Sequence, residues 1–154
     1  LLTGLILWHM LQNPNQEFTR PWGADFLNVW AAPRVAAKDV GALFSIPDYM
    51  AHLDAWFNEP LATRAWSYPL LALFFYAPFS LLPYMPAFAL WSLTGAAVFV
   101  LVSWRVLFRR TPRWQSLLTL ITPFALVNLL AGQNGFFSAA LSLAAIGFLP
   151  KKPW

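Results

Sequence analysis

All six carboxylates of the chain, Glu17, Asp25, Asp39, Asp48, Asp54 and Glu59, fall between Asn13 and Arg64. Acid–base work by a carboxylate is therefore confined to that stretch. Asp25 is set apart by its place: it follows the turn signals Asn13-Pro14-Asn15 and Arg20-Pro21-Trp22-Gly23 and opens a short helix predicted over Phe26 to Lys38. Asn28, three positions further on, shares its side of that helix, so a carboxylate and an amide are offered together. The plain structural use of an aspartate in that position is to cap the helix. Other chemistries are excluded at once. The chain has no cysteine, which removes thiol catalysis and Cys-ligated metals. Its two histidines, His9 and His52, are too few and too far apart to suggest a metal site.

The elements that must hold these residues are apolar. Of 154 residues, 59% are hydrophobic and 10% charged, against about 25% charged in soluble domains. That balance excludes an ordinary soluble domain, and disorder needs the opposite composition. The expected fold is all-α: a polytopic transmembrane helical bundle with external juxtamembrane amphipathic helices. A net charge of +4 does not point to nucleic acid, because Arg105, Arg109, Arg110 and Arg113 form one cluster and Lys151 and Lys152 another, each ending an apolar run. The lipid bilayer is the expected partner.

The whole chain, 1–154, reads as a single membrane domain. Residues 1–12 look like a truncated membrane helix, being about half of the roughly 20 residues that a crossing needs. Residues 13–85 read as an external loop, and 86–108, 114–131 and 135–149 as membrane helices. Basic clusters favour the cytoplasmic side. That rule places the Arg105–Arg113 cluster inside and both Asp25 and the Gly132-Gln133-Asn134 turn outside. Within the loop, Phe26 to Lys38 and Pro47 to Phe57 are expected to lie on a membrane surface. In the second of these, Tyr49, Leu53, Trp56 and Phe57 fall on one face. The segment Tyr68 to Leu82 is short and holds Pro69 and Pro78, so it is expected to dip into the bilayer without crossing.

In order along the chain, Gly23-Ala24-Asp25-Phe26, Trp30-Ala31-Ala32, Ala42-Leu43-Phe44, Tyr68-Pro69-Leu70, Ala77-Pro78-Phe79-Ser80-Leu81-Leu82-Pro83-Tyr84, Leu90-Trp91 and Gly132-Gln133-Asn134 resemble glycosyltransferase family 87. That family belongs to the C-type membrane glycosyltransferases and includes polyprenyl-phosphate-mannose-dependent mannosyltransferases. The sequence departs from the pattern at Leu70, where a second proline is common, and at Phe44-Ser45, where Tyr-Asp is usual. Members are longer, so the chain resembles an N-terminal portion.

The resemblance implies transfer of a sugar, mannose in the relatives, from a polyprenyl-phosphate donor to an extracytoplasmic glycolipid or glycan acceptor, with inversion. The localisation it implies is the cytoplasmic (inner) membrane. Asp25 would be the general base and Asn28, Arg64, Tyr68, Gln133 and Asn134 the substrate-binding set, with Arg64 on the lipid phosphate. No cofactor is implied beyond the polyprenyl-phosphate sugar. Trp22 and Trp30, close to Asp25, could stack on a sugar. The competing readings are a transporter fragment or a non-catalytic scaffold. Transporters place ionisable groups inside their spans, whereas here the acids gather in one loop, which favours the enzyme.

Overall fold

The computed structural model describes residues 23–57 and 61–148. The truncated helix expected over residues 1–12, Trp22, and the basic pair Lys151 and Lys152 lie outside the described residues. The described residues form helices and no strand: α1 (Phe26–Ala36), α2 (Ile46–Phe57), α3 (Ala72–Ser80), α4 (Tyr84–Val106), α5 (Pro123–Ala131) and α6 (Gly135–Phe148), with 3-10 helices at Gly41–Phe44 and Arg113–Ile121. The chain divides into two compact units, 1–88 and 89–154.

In the first unit α1 is the central element. Phe26, Leu27, Val29, Trp30, Ala31, Ala32 and Val35 are all buried. These positions cover most of the helix circumference, so α1 is enclosed by protein and is not the surface-lying amphipathic helix that its sequence suggested. Ala31 and Ala32, with their small side chains, admit a close neighbour, and α1 packs chiefly against α3. Around Trp30 the rings of Trp56, Phe57 and Tyr84 lie 5.4–5.9 Å away, edge-on, the arrangement that ring quadrupoles favour. On α2, Tyr49 and Leu53 are fully buried while Asp48 is exposed.

Helix α4 has 23 residues, about 34 Å at 1.5 Å per residue. It is the one described helix long and apolar enough to cross a membrane on its own. Small and aromatic residues, Trp91, Ser92, Ala96 and Ser103, line its buried side, while Leu90, Leu93 and Leu101 are exposed. Large apolar groups facing outward suit an apolar surrounding better than water.

Beyond α4, the segment expected as one helix over 114–131 is two pieces bent by 73°. The cause is local. Thr122 is extended (φ −69°, ψ 148°) because the residue before a proline is pushed out of the helical region. Pro123 then starts α5, and the Thr122 hydroxyl accepts from the Ala125 N–H as its cap. Upstream, the hydroxyls of Ser116, Thr119 and Thr122 donate to the carbonyls of Arg113, Ser116 and Thr119 respectively. A hydroxyl at every third residue matches the three-residue turn of a 3-10 helix. Helix α6 is apolar and its 14 residues reach about 21 Å.

Candidate active site

Gly23 holds φ +76°, a left-handed conformation, and directs the chain into α1. Its carbonyl accepts from the Tyr84 hydroxyl at 2.9 Å. A side chain at this position would be strained and would also meet the Phe88 ring, since an added Cβ would lie 2.5 Å from Phe88 Cδ2.

Asp25 follows directly. Its backbone is already helical (φ −81°, ψ −26°) and its side chain makes no capping hydrogen bond. The residue is exposed at the head of the helix. The structural role that competes for an aspartate in this position is therefore not taken by its carboxylate.

Three other predicted residues gather round the same helix end. The Arg64 guanidinium donates through Nη1 to the Ala24 carbonyl, one residue before Asp25. The Arg64 backbone N–H points to Met50 Sδ at 3.2 Å, which ties the same residue to α2. Asn28 accepts from the Tyr49 hydroxyl at 2.9 Å through Oδ1 and donates through Nδ2 to the Ala65 carbonyl at 3.4 Å. Both ends of this amide are thus turned toward protein. Tyr68 is half-buried, with Trp66 at 5.3 Å and Tyr76 at 5.8 Å between ring centroids. Burial, with the nearby Asp25 charge adding to it, raises the Tyr68 pKa above that of an ordinary phenol. Tyr68 therefore stays a proton-bearing donor at neutral pH beside Asp25.

Tyr49 belongs to this network and was read in sequence only as part of an apolar face. Burial pushes its phenol well above the ordinary range, and the Arg64 charge offsets that in part. The residue was visible as a buried position on α2, but nothing in a one-dimensional pattern pairs it with Asn28. Trp30 is 7% exposed. It lies under the Arg34 guanidinium, 4.0 Å from the ring centroid, and donates to the Leu82 carbonyl at 2.9 Å. An indole so enclosed is a core residue and has no open face for a sugar.

Gln133 and Asn134 belong to the second unit. Gly132 ends α5 in the left-handed conformation (φ 67°), as helix C-termini commonly do. The Gln133 N–H returns to the Asn128 carbonyl at 3.2 Å, and Trp91 Nε1 holds the Gly132 carbonyl at 3.0 Å. Gln133 is exposed, while Asn134 is half-buried and its carbonyl accepts the Ser138 N–H of α6. Gly135 lies so close to Asn128 that an added Cβ would overlap the amide oxygen. The turn is thus built for close passage of the chain.

An apolar chain, helical without strands among its described residues, with a carboxylate presented beside an arginine and a tyrosine fits a membrane-associated transferase. The chain belongs to glycosyltransferase family 87, whose pattern matches residues 66–154. The match takes in Tyr68, Gln133 and Asn134, while Asp25, Asn28 and Arg64 precede it. Neither a curated protein nor a solved structure matches the chain.

Proposed function

We propose that the protein is an integral-membrane glycosyltransferase that moves a sugar, mannose by family resemblance, from a polyprenyl-phosphate donor to an extracytoplasmic glycolipid or glycan acceptor. Asp25 takes the proton of an acceptor hydroxyl that comes within about 3 Å of it. The hydroxyl oxygen attacks the anomeric carbon from the face opposite the phosphate. As that bond forms, the bond from carbon to phosphate oxygen breaks and polyprenyl phosphate leaves with its electron pair. One carboxylate suffices for a single inverting displacement, because no covalent sugar intermediate has to be formed and resolved. Arg64 offsets charge on the leaving phosphate, and Tyr68 donates to a sugar or phosphate oxygen. Asn28, its amide held by the Tyr49 hydroxyl and the Ala65 carbonyl, steadies the Asp25 end of the helix, and Gln133 and Asn134 are the further substrate-binding residues that the family resemblance implies.

The observation that carries this reading is the exposed Asp25 carboxylate, unused as a cap, with Arg64 fixed to the preceding carbonyl and Tyr68 alongside. The active site would face outward from a multi-pass protein of the cytoplasmic membrane. The segment 68–82 would enter one leaflet and return. Its helix α3 has nine residues, about 13 Å long against a hydrocarbon core of about 30 Å. Phe74 stands exposed on it and Leu71 and Leu81 at its two ends, where acyl chains would cover them.

Asp25→Asn in the intact protein tests the proposal. Sugar transfer in membranes from cells carrying the variant is expected to fall by about 10²–10⁴-fold, with protein level and membrane insertion unchanged. Transfer at the native rate would end the base assignment. Because the chain has no cysteine, single cysteines at positions 25 and 110 can be labelled from either side. An impermeant reagent is expected to reach the first from outside and the second only after the membrane is opened.

A further inference from the structure

The second unit holds an arrangement that sugar transfer does not use. Four arginines, Arg105, Arg109, Arg110 and Arg113, lie between the end of α4 and the start of the 3-10 helix, all of them exposed. Two are set around one indole: the Arg113 guanidinium lies 4.5 Å from the Trp104 ring centroid and that of Arg105 lies 5.3 Å from it. Stacking holds a guanidinium by its flat face and leaves its N–H edge free to donate. From residue 61 to the end of the chain there is no aspartate or glutamate. The unit therefore contains no carboxylate to balance these charges, and the complement must come from outside it.

The 3-10 helix that follows shows what kind of partner this is. Its polar residues, Ser116, Thr119 and the flanking Thr122, spend their hydroxyls on carbonyls three positions back. Apart from Arg113 at its start and the half-buried Gln115, the rest of its surface is apolar, with Trp114, Leu117, Leu118 and Ile121 each more than half exposed. Cations at one end with tryptophan and leucine along the body describe an element lying at the level of lipid headgroups. The end of α4, the helix able to cross a bilayer, brings Trp104 and Arg105 to that same level.

We infer that Arg105, Arg109, Arg110 and Arg113, together with the exposed apolar side of Arg113–Ile121, form a docking surface for the anionic phosphodiester headgroups of the adjoining leaflet. The arginines take the phosphates, Trp104 holds two of them in place, and Trp114, Leu117, Leu118 and Ile121 sink among the upper acyl carbons. The segment 113–121 then lies along the surface and does not form the first half of a straight span.

The test is lipid retention by the whole protein, purified in nanodiscs made from equal parts of phosphatidylcholine and phosphatidylglycerol. Native mass spectrometry counts the lipids that stay bound. Phosphatidylglycerol is expected to be retained in preference, and the preference to weaken as salt is raised. Arg109→Gln with Arg110→Gln leaves the indole stack intact, and each exposed charge removed is expected to lower the preference about five-fold. A polarity-sensitive dye on a cysteine at position 118 is expected to report an apolar setting in these discs and a wetter one in the double variant. Equal retention of both lipids by the native protein would overturn the inference. So would displacement of the bound lipid by inorganic phosphate, which would mark a site for free phosphate instead.

Discussion

The two units use polar side chains in opposite ways. In the first, donors reach far along the sequence to backbone carbonyls: Asn28 to Ala65, Arg64 to Ala24, Trp30 and Arg34 to Leu82, and Tyr84 to Gly23. In the second, several hydroxyls turn back on carbonyls three or four residues earlier, as at Ser116, Thr119, Thr122 and Ser142. Trp91 to Gly132 and Ser92 to Leu129 are its long-range exceptions. A hydroxyl that satisfies itself locally suits a helix facing apolar surroundings, where an unpaired group is expensive. Bonds between distant segments instead fix where side chains stand relative to one another, which a reaction requires. Under the proposed function, the first unit holds the base Asp25 in a frame of long-range bonds, and the second, besides Gln133 and Asn134, carries the surface proposed to meet lipid.

The largest effect that sharpens this contrast is on turnover. Asp25→Asn is expected to lower kcat by about 10²–10⁴-fold, while Gln133→Ala in the second unit loses about tenfold or less, the scale of one hydrogen bond. Equal losses in a sugar-transfer assay would erase the distinction.

Next come the two glycines of positive φ, one in each unit. Gly23→Ala and Gly132→Ala each force a side chain into the left-handed region, at about 1–2 kcal/mol. The first also drives a methyl group into the Phe88 ring. Thermal unfolding in detergent is expected to show the larger drop for Gly23→Ala.

A smaller effect concerns Tyr49. Its Phe variant removes the bond to Asn28 and is expected to cost about 1 kcal/mol. The variant also carries a pH signature. Because the folded phenol titrates above its unfolded value, near pH 10, its contribution is complete below that pH and is lost as pH rises beyond it. Native protein should lose stability above about pH 10 more steeply than Tyr49→Phe does, measured by alkaline unfolding. Arg34→Gln should matter least, below about 1 kcal/mol. Trp30 still donates to the Leu82 carbonyl after that change, and the same melts would register it.

Much of this was legible from residue order. Turn residues and periodicity locate α2 and α4 within two residues of their observed starts, and the position of Asp25 at the head of α1 follows from the glycine and proline before it. The burial of α1 on nearly all sides was present in Phe26-Leu27 and Trp30-Ala31-Ala32, but reading for a single apolar face hides a helix that is apolar around most of its circumference. The bend at Thr122–Pro123 was also written in the chain, in the period-three run of Ser116, Thr119 and Thr122. Hydropathy averaging passes over it because those hydroxyls are lost among leucines. The pairing of Tyr49 with Asn28, and of Arg64 with Ala24, could not be read at all. Such partners are chosen by packing between segments, and spacing along the chain carries no trace of that choice.

The carbonyl of Leu82 receives two donors from a single helix, Trp30 at 2.9 Å and Arg34 at 3.1 Å, one turn apart. Withdrawing α1 from the link between α3 and α4 would strand both donors together, so the two pieces behave as one lever. Any movement that admits a bulky lipid-borne sugar has to carry α1 and that link together or break both bonds at once.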